Sequence, residues 1–311
     1  MKKLLYTIII STTLLGGCNA LKDITTENNV PRTMPVNEYK GQGFQPKAEK
    51  DAIELAKKHK KEFADLGERF FKDNFGLNVK ATNVVGNEDG IEVFVHCDDH
   101  DIVFNSSILL TKNSLGHKGN MRASEESDEL ATQIGKVVSG FDYKANKKEY
   151  DELYQYFKDN QKKYGYYGYT KEAINKTQNS GYQNEFFWIN GSPTTLENYD
   201  KYYKPLIKQK NNKFKQSYLK NRKIAINQEK SELITSLFSK STQYNPKKES
   251  YKLPIIAKDI NQLSIGPSEK EVSIFLFYTE NKLETFNARP YQNHKAAYEV
   301  YPNEKHDYWK R

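Results

Sequence analysis

The sequence predicts an α+β fold, with long amphipathic helices, antiparallel β-meanders and two similarly planned lobes, and three observations carry that prediction. Between residues 49 and 75, Ile53, Ala56, Phe63, Leu66 and Phe70 recur three, four or seven apart among Lys and Glu. That is the period of a helix with one buried face. Residues 79–110 then switch to strand chemistry, with Ile91, Val93, Val95 and Cys97 alternating against Glu92, Phe94, His96 and Asp98. Far along the chain, Val272-Ser273-Ile274-Phe275-Leu276-Phe277-Tyr278 is apolar at nearly every position. A strand covered on both faces has that composition.

Taken in order, the chain opens with Lys2 and Lys3 and a nearly uncharged run over 4–15 that is too short to span a bilayer. Residues 1–17 are therefore expected to be an export signal. Leu15-Gly16-Gly17-Cys18 resembles the lipobox of bacterial lipoproteins. The resemblance implies cleavage before Cys18, a diacylglyceryl thioether on its sulfur and a palmitoyl group on its freed nitrogen. Two or more chains hold a protein stably where one holds it marginally. The expected location is thus the extracytoplasmic face of a cell membrane, with Cys18 as the attachment point.

Residues 18–48 carry Pro31, Pro35, Gly41, Gly43 and Pro46 without a sustained period and are expected to be a flexible tether. At about 30 residues it would relax to roughly 30 Å and stretch to about 100 Å. The globular body is expected over 49–311, with lobes at 49–140 and 141–311. Gly76 supplies a left-handed stop for the first helix. Strands follow at 79–85, after Gly90 and at 102–110, joined by Gly86-Asn87-Glu88-Asp89-Gly90 and Asp99-His100-Asp101.

In the middle, Ser124 precedes acid that suits a helix N-terminus, and Leu130, Ile134 and Val137 form the buried stripe. A second helix over 147–164 buries Tyr150, Leu153, Phe157 and Tyr164 until Gly165 breaks it. A short helix near 171–178 and a strand at 184–189 lead to Thr194 and Glu197, spaced as a capping box. Pro205 then opens a long helix expected to reach about Ser239. After 272–278, Glu280-Asn281-Lys282 turns the chain into a strand at 283–287.

Three segments together, the lipobox, Met34-Pro35-Val36-Asn37-Glu38-Tyr39-Lys40-Gly41-Gln42-Gly43-Phe44 and Gly90-Ile91-Glu92-Val93-Phe94-Val95-His96, resemble the uncharacterised staphylococcal lipoproteins of domain-of-unknown-function family 1672. The resemblance covers essentially the whole chain. It implies a cell-membrane lipoprotein with no established activity, and only Cys18 carries over as a site residue.

Composition narrows the remaining choices. A mean hydropathy of −0.86 with 28% charged residues describes a soluble mature body, and 13% aromatics argues against global disorder. The net charge of +8, lower by two once Lys2 and Lys3 leave, suits anionic envelope polymers and headgroups. Nucleic acid is not an expected partner, since no base-reading helix or RNA-binding aromatic motif occurs. With Cys18 lipidated, Cys97 has no intrachain partner, and it reads as a buried small hydrophobe.

His96-Cys97-Asp98-Asp99-His100-Asp101 gathers ligand-type side chains, with His96, Asp98 and His100 the set a metal would choose. Strand alternation sends His96 and Cys97 opposite ways, so a polar hairpin tip is the favoured reading and no metal or other cofactor is assigned. The tyrosines between Tyr143 and Tyr169, with Trp188, are sugar-stacking candidates but read first as packing. Lys208, Lys210, Lys213, Lys215, Lys220, Arg222 and Lys223 form a basic run that reads first as a solvated helix face. Carboxylate pairs such as Asp98 with Asp101 and Glu125 with Glu126 are common in a chain with 40 acids. No catalytic residue is assigned. The expected function is a lipid-anchored, non-catalytic binding module of the envelope; the alternative is a metal-assisted enzyme acting on envelope polymers at the His96 to Asp101 tip.

Overall fold

The computed structural model describes residues 30–226, 231–267, 272–291 and 295–300. The expected signal at 1–17, Cys18 and residues 19–29 of the expected tether lie outside the described residues. The rest of that tether is part of the body. Strand β1 (Thr33–Met34) pairs with a strand near the other end of the chain, and Val36 and Tyr39 are fully buried. The breakers steer this segment across the body, with Gly41 and Gly43 at φ 94° and 68°.

The first amphipathic stretch forms two helices, α1 (Lys50–Lys58) and α2 (Lys60–Phe75), separated at His59. Gly76 closes α2 at φ 70°, its N–H bonded to Lys72 O, as the sequence predicts. Strands β2 (Val79–Asn87), β3 (Gly90–Asp99) and β4 (Ile102–Leu110) make an antiparallel meander in that order. Helix α3 (Asp128–Ala145) runs beside β4. Its N-cap is Ser127, whose Oγ accepts from Leu130 N at 3.1 Å, three residues beyond the expected Ser124. Phe71, Phe75, Val93, Val95, Phe104, Ile134, Val137 and Phe141 fill the first core between these elements.

Helix α4 (Lys147–Tyr164) spans the predicted residues and ends at Gly165, φ 68°. Short elements follow: β5 (Tyr166–Tyr167), α5 (Lys171–Thr177), β6 (Phe187–Asn190) and α6 (Leu196–Asn198). The cap of α6 is Thr195, bonded to Asn198 N at 3.1 Å, so the expected Thr194 and Glu197 box is displaced by one residue. Pro205 sits in a tight turn, Lys204–Leu206, ahead of α7 (Asn211–Ile226).

The long helix expected to reach Ser239 stops at Ile226, and its tail is two strands, β7 (Ser231–Thr235) and β8 (Leu237–Ser239). Leu233 and Leu237 are four apart and mimic a helical stripe. Leu233, Thr235 and Leu237 are nevertheless buried in alternation. Helices α8 (Pro246–Glu249) and α9 (Lys252–Leu263) then cross back to β9 (Val272–Thr279), followed by β10 (Leu283–Glu284) and β11 (Lys295–Val300).

Strand β9 centres a mixed sheet. β7 and β8 lie end to end along one edge, both parallel to it; β11 takes the other edge antiparallel; β6 and β5 extend β7 and β8. The parallel pairs need a crossover, which α8 and α9 supply. Val272, Ile274, Leu276 and Tyr278 are buried under α4 and α9, while Ser273, Phe275 and Phe277 on the opposite face are half-buried. The expectation of equal cover on both faces is thus met on one.

The cores do not divide the chain at residue 140. Helix α3 crosses that point, and Phe214 and Tyr218 of α7 return to the first core. A third cluster joins Val36 and Tyr39 to Tyr169, Ile174, Phe238 and Leu283.

Candidate functional site

The β3–β4 hairpin separates the residues of the histidine and aspartate cluster. Cys97 is fully buried with the first core, and that burial pushes its thiol up to about 12. His96 projects to the other face, its Nδ1 3.0 Å from Asn105 Oδ1. His100 and Asp101, at φ 55° and 62°, are the two central residues of a hairpin turn that needs positive φ at both. Asp99 accepts from Asn78 N and Nδ2, each at 2.8 Å, and lies 2.7 Å from His100 Nδ1. Partial burial opposes its charge, but the Asn78 hydrogen bonds and the His100 ring prevail and hold its carboxyl below the ordinary range. The cluster does the work of a turn. Among the described residues, no three His, Cys, Asp or Glu side chains converge as a metal site would require.

Most of the tyrosines are core, with Tyr154 and Tyr167 half-buried at its edge. Tyr150 and Tyr166 are fully buried, Tyr143, Tyr164 and Tyr169 nearly so, and Tyr143 stacks on Tyr182 at 3.9 Å. Their hydroxyls are used internally, that of Tyr166 donating to Phe157 O at 2.6 Å and that of Tyr143 to Asp151 at 2.9 Å. Trp188 is half-buried, pointing away from its core neighbours Phe187 and Ile189.

With the hairpin, helices and mixed sheet placed, comparison with known proteins settles the kinship. A family model described as "Protein of unknown function (DUF1672)" matches residues 26–304. The chain belongs to the DUF1672 family. A crystal structure of a DUF1672 family protein from Staphylococcus aureus subsp. aureus Mu50 is 40% identical, superposes with a TM-score of 0.84, and covers 88% of this chain and 100% of its own. None of the curated proteins matches.

In this DUF1672 chain the basic run divides by chemistry. Arg222 is 4% exposed and its Nη1 lies 3.6 Å from Asp142 Oδ2, itself on a residue 1% exposed. Ser231 Oγ accepts from Arg222 at 2.9 Å and donates to Asp142, and Asn146 Nδ2 donates to Asp142 at 2.9 Å. Lys215 pairs with Glu149 at 2.9 Å. Lys208, Lys210, Lys213 and Lys220 are exposed on or just before α7.

A second polar layer lies on the meander's outer face. Glu92, 8% exposed, accepts from Asn87 at 2.7 Å and from Asn179 at 3.2 Å, while Asn179 also donates to Ser107 Oγ at 2.7 Å. Lys136 of α3 has Glu92 as its neighbouring charge, yet burial prevails and lowers its pKa. These groups sit between packed layers and bind the fold.

Among the open clefts, one of about 330 Å³ is lined by Arg122, Ser124, Glu125, Glu126, Glu197 and Asp200. Three of its charges are engaged in structure. Arg122 pairs with Asp200, and Glu126 accepts from Leu196 N at 2.9 Å, tying the start of α6. The Glu125 and Glu126 pair is therefore split between a cleft wall and a helix-end contact. Sequence reasoning missed Asp142, Glu92 and Lys136, because their partners lie tens of positions away.

Proposed function

We propose that the protein is a lipoprotein, anchored on the extracytoplasmic face of the cell membrane through Cys18, and that its body is a non-catalytic module for anionic envelope polymers. The observation that carries the reading is the register of Lys2 and Lys3, the apolar run 4–15 and Leu15-Gly16-Gly17-Cys18. One further feature bears on the body. His96 and the buried tyrosines Tyr143 and Tyr166 spend their polar atoms on hydrogen bonds within the fold, whereas Lys208, Lys210, Lys213 and Lys220 face solvent.

Cys18→Ala is expected to abolish lipid attachment, so that the chain accumulates as a precursor retaining residues 1–17 or leaves the membrane fraction. Intact mass and detergent-phase partition check this. A native product that starts at Met1 and stays in the cytosol would end the anchor reading. For the body, capture on immobilised wall teichoic acid is expected to weaken more than about tenfold when the four lysines become glutamate. Equal capture of both proteins would remove the polymer as a ligand of this face.

A further inference from the structure

We infer that the α8–α9 end of the mixed sheet docks on the anionic outer leaflet, placing Tyr251 and Ile255 at headgroup level within a ring of lysines. The inference rests on the lipid-anchor reading, because the anchor sets the distance between body and bilayer. Cys18 and Val30 are 12 positions apart. Whatever conformation the intervening residues take, that length of chain reaches at most about 40 Å.

Past Val30 the chain reaches the end of β9 within six residues. β1 pairs with β10, and Val36 N donates to Asn281 Oδ1 at 2.8 Å, just past the end of β9. The α8–α9 unit starts at that same end. Tyr244 Oη donates to Tyr278 O at 2.7 Å, one turn of chain before α8, and Lys252 Nζ reaches Tyr278 Oη at 3.1 Å. The first turn of α9 is thereby held at the end of β9 that the chain reaches six residues after Val30.

What this helix shows to solvent suits a membrane. Leu253, Ile256, Ala257 and Ile260 face the core, whereas Tyr251 and Ile255, four apart on the outer face, remain 61% and 42% exposed. Lys258 follows them on the same line. Between residues 240 and 263 the acids are Glu249 and Asp259, and both are neutralised within the fold. Glu249 pairs with Lys252 at 2.6 Å, and Asp259 with Lys163 at 3.1 Å while accepting from Tyr164. The exposed charges left are Lys240, Lys247, Lys248 and Lys258, all positive. An amphipathic ring and a branched aliphatic flanked by lysines fit the headgroup region, where the long stems lie along apolar matter and the ammonium groups meet anionic lipid. A teichoic acid chain would satisfy the lysines but gives Tyr251 and Ile255 no apolar phase.

The test uses the full lipidated chain carrying Ile255→Cys, labelled with an environment-sensitive fluorophore. Cys18 bears the lipid and Cys97 is buried, so the new thiol takes the label. In vesicles of phosphatidylglycerol and phosphatidylcholine the probe is expected to shift to the blue and to be quenched by spin-labelled lipid. The same label at Ile224→Cys, 55% exposed on α7, should report water. Lys247→Glu with Lys248→Glu should lower the docked fraction at least about tenfold without changing thermal unfolding. A lipidated chain whose Ile255 probe matches the Ile224 probe overturns docking while leaving the anchor intact. So does a charge reversal that reduces teichoic-acid capture yet leaves the Ile255 signal unchanged. If mass spectrometry of the sample finds Cys18 without lipid, the leash is lost and the docking inference falls with it.

Discussion

Asp142→Ala is expected to lower the unfolding free energy by about 3–5 kcal/mol, because it strands a buried guanidinium. Asp142 and Arg222 are 1% and 4% exposed, and they meet where α3, the start of α4, α7 and β7 converge. Burial disfavours the Arg222 charge, but Tyr218 and Asp142 outweigh it and raise its pKa. Arg222→Met should cost a similar amount, since the buried carboxylate then loses its counter-charge. Combining Arg222→Met with Asp142→Leu should recover part of the loss, as replacing both charges removes the uncompensated one. Urea unfolding of the four proteins closes the cycle. Strict additivity of the two losses would mean that the pair is not a unit. The pair matters because it fastens the first core, through α3 and α7, to the sheet of the second.

The parts of this fold legible in the sequence are those whose burial is periodic within one element. Helix α4 and the β2–β4 meander were predicted nearly to the residue because Tyr150, Leu153 and Phe157, or Ile91, Val93 and Val95, repeat with a single period between glycine or turn signals. Strands β7 and β8 read as helix in the sequence because Leu233 and Leu237, four apart, satisfy both periods, and pairing with β9 decides between them. Helix α9 was overlooked although Leu253, Ile256, Ala257 and Ile260 have ideal spacing, because Pro246 and Pro254 obscure its start. At the candidate sites, alternation alone separated His96 from Cys97. Sequence gave no view of Asp142 with Arg222 or of the α8–α9 face, because each depends on tertiary partners 80 or more positions distant or on which acids are already paired. The tether reads as open chain for a related reason: Val36 and Tyr39 are buried by Ile174, Phe238 and Leu283, which lie far along the chain.

A body cut to begin at Glu49 is therefore expected to fail to fold cooperatively. Removing residues 30–48 takes away β1 and uncovers Phe238, Leu283 and Ile174, which close around Val36 and Tyr39. Tyr39→Ala in the whole chain is a milder form of the same lesion, and should cost about 3–5 kcal/mol as a large fully buried ring is lost. Tyr39→Phe should cost nearer 1 kcal/mol, the value of the hydrogen bond that Tyr39 Oη donates to Thr285 O at 2.7 Å. Urea midpoints of these variants, beside the soluble yield of the shortened body, check the order. A fragment starting at Glu49 with native stability would refute it. With Cys18 anchored as proposed, the outcome bears on the membrane as well, since the docked segment ends the leash at Val30. Were Val36 and Tyr39 to peel away, the free length from Cys18 would grow from about 40 Å toward about 100 Å. The α8–α9 face would then no longer be confined near the lipid. Under the proposed anchoring at Cys18, burial of one tyrosine thus bears on both the stability of the body and its reach from the bilayer.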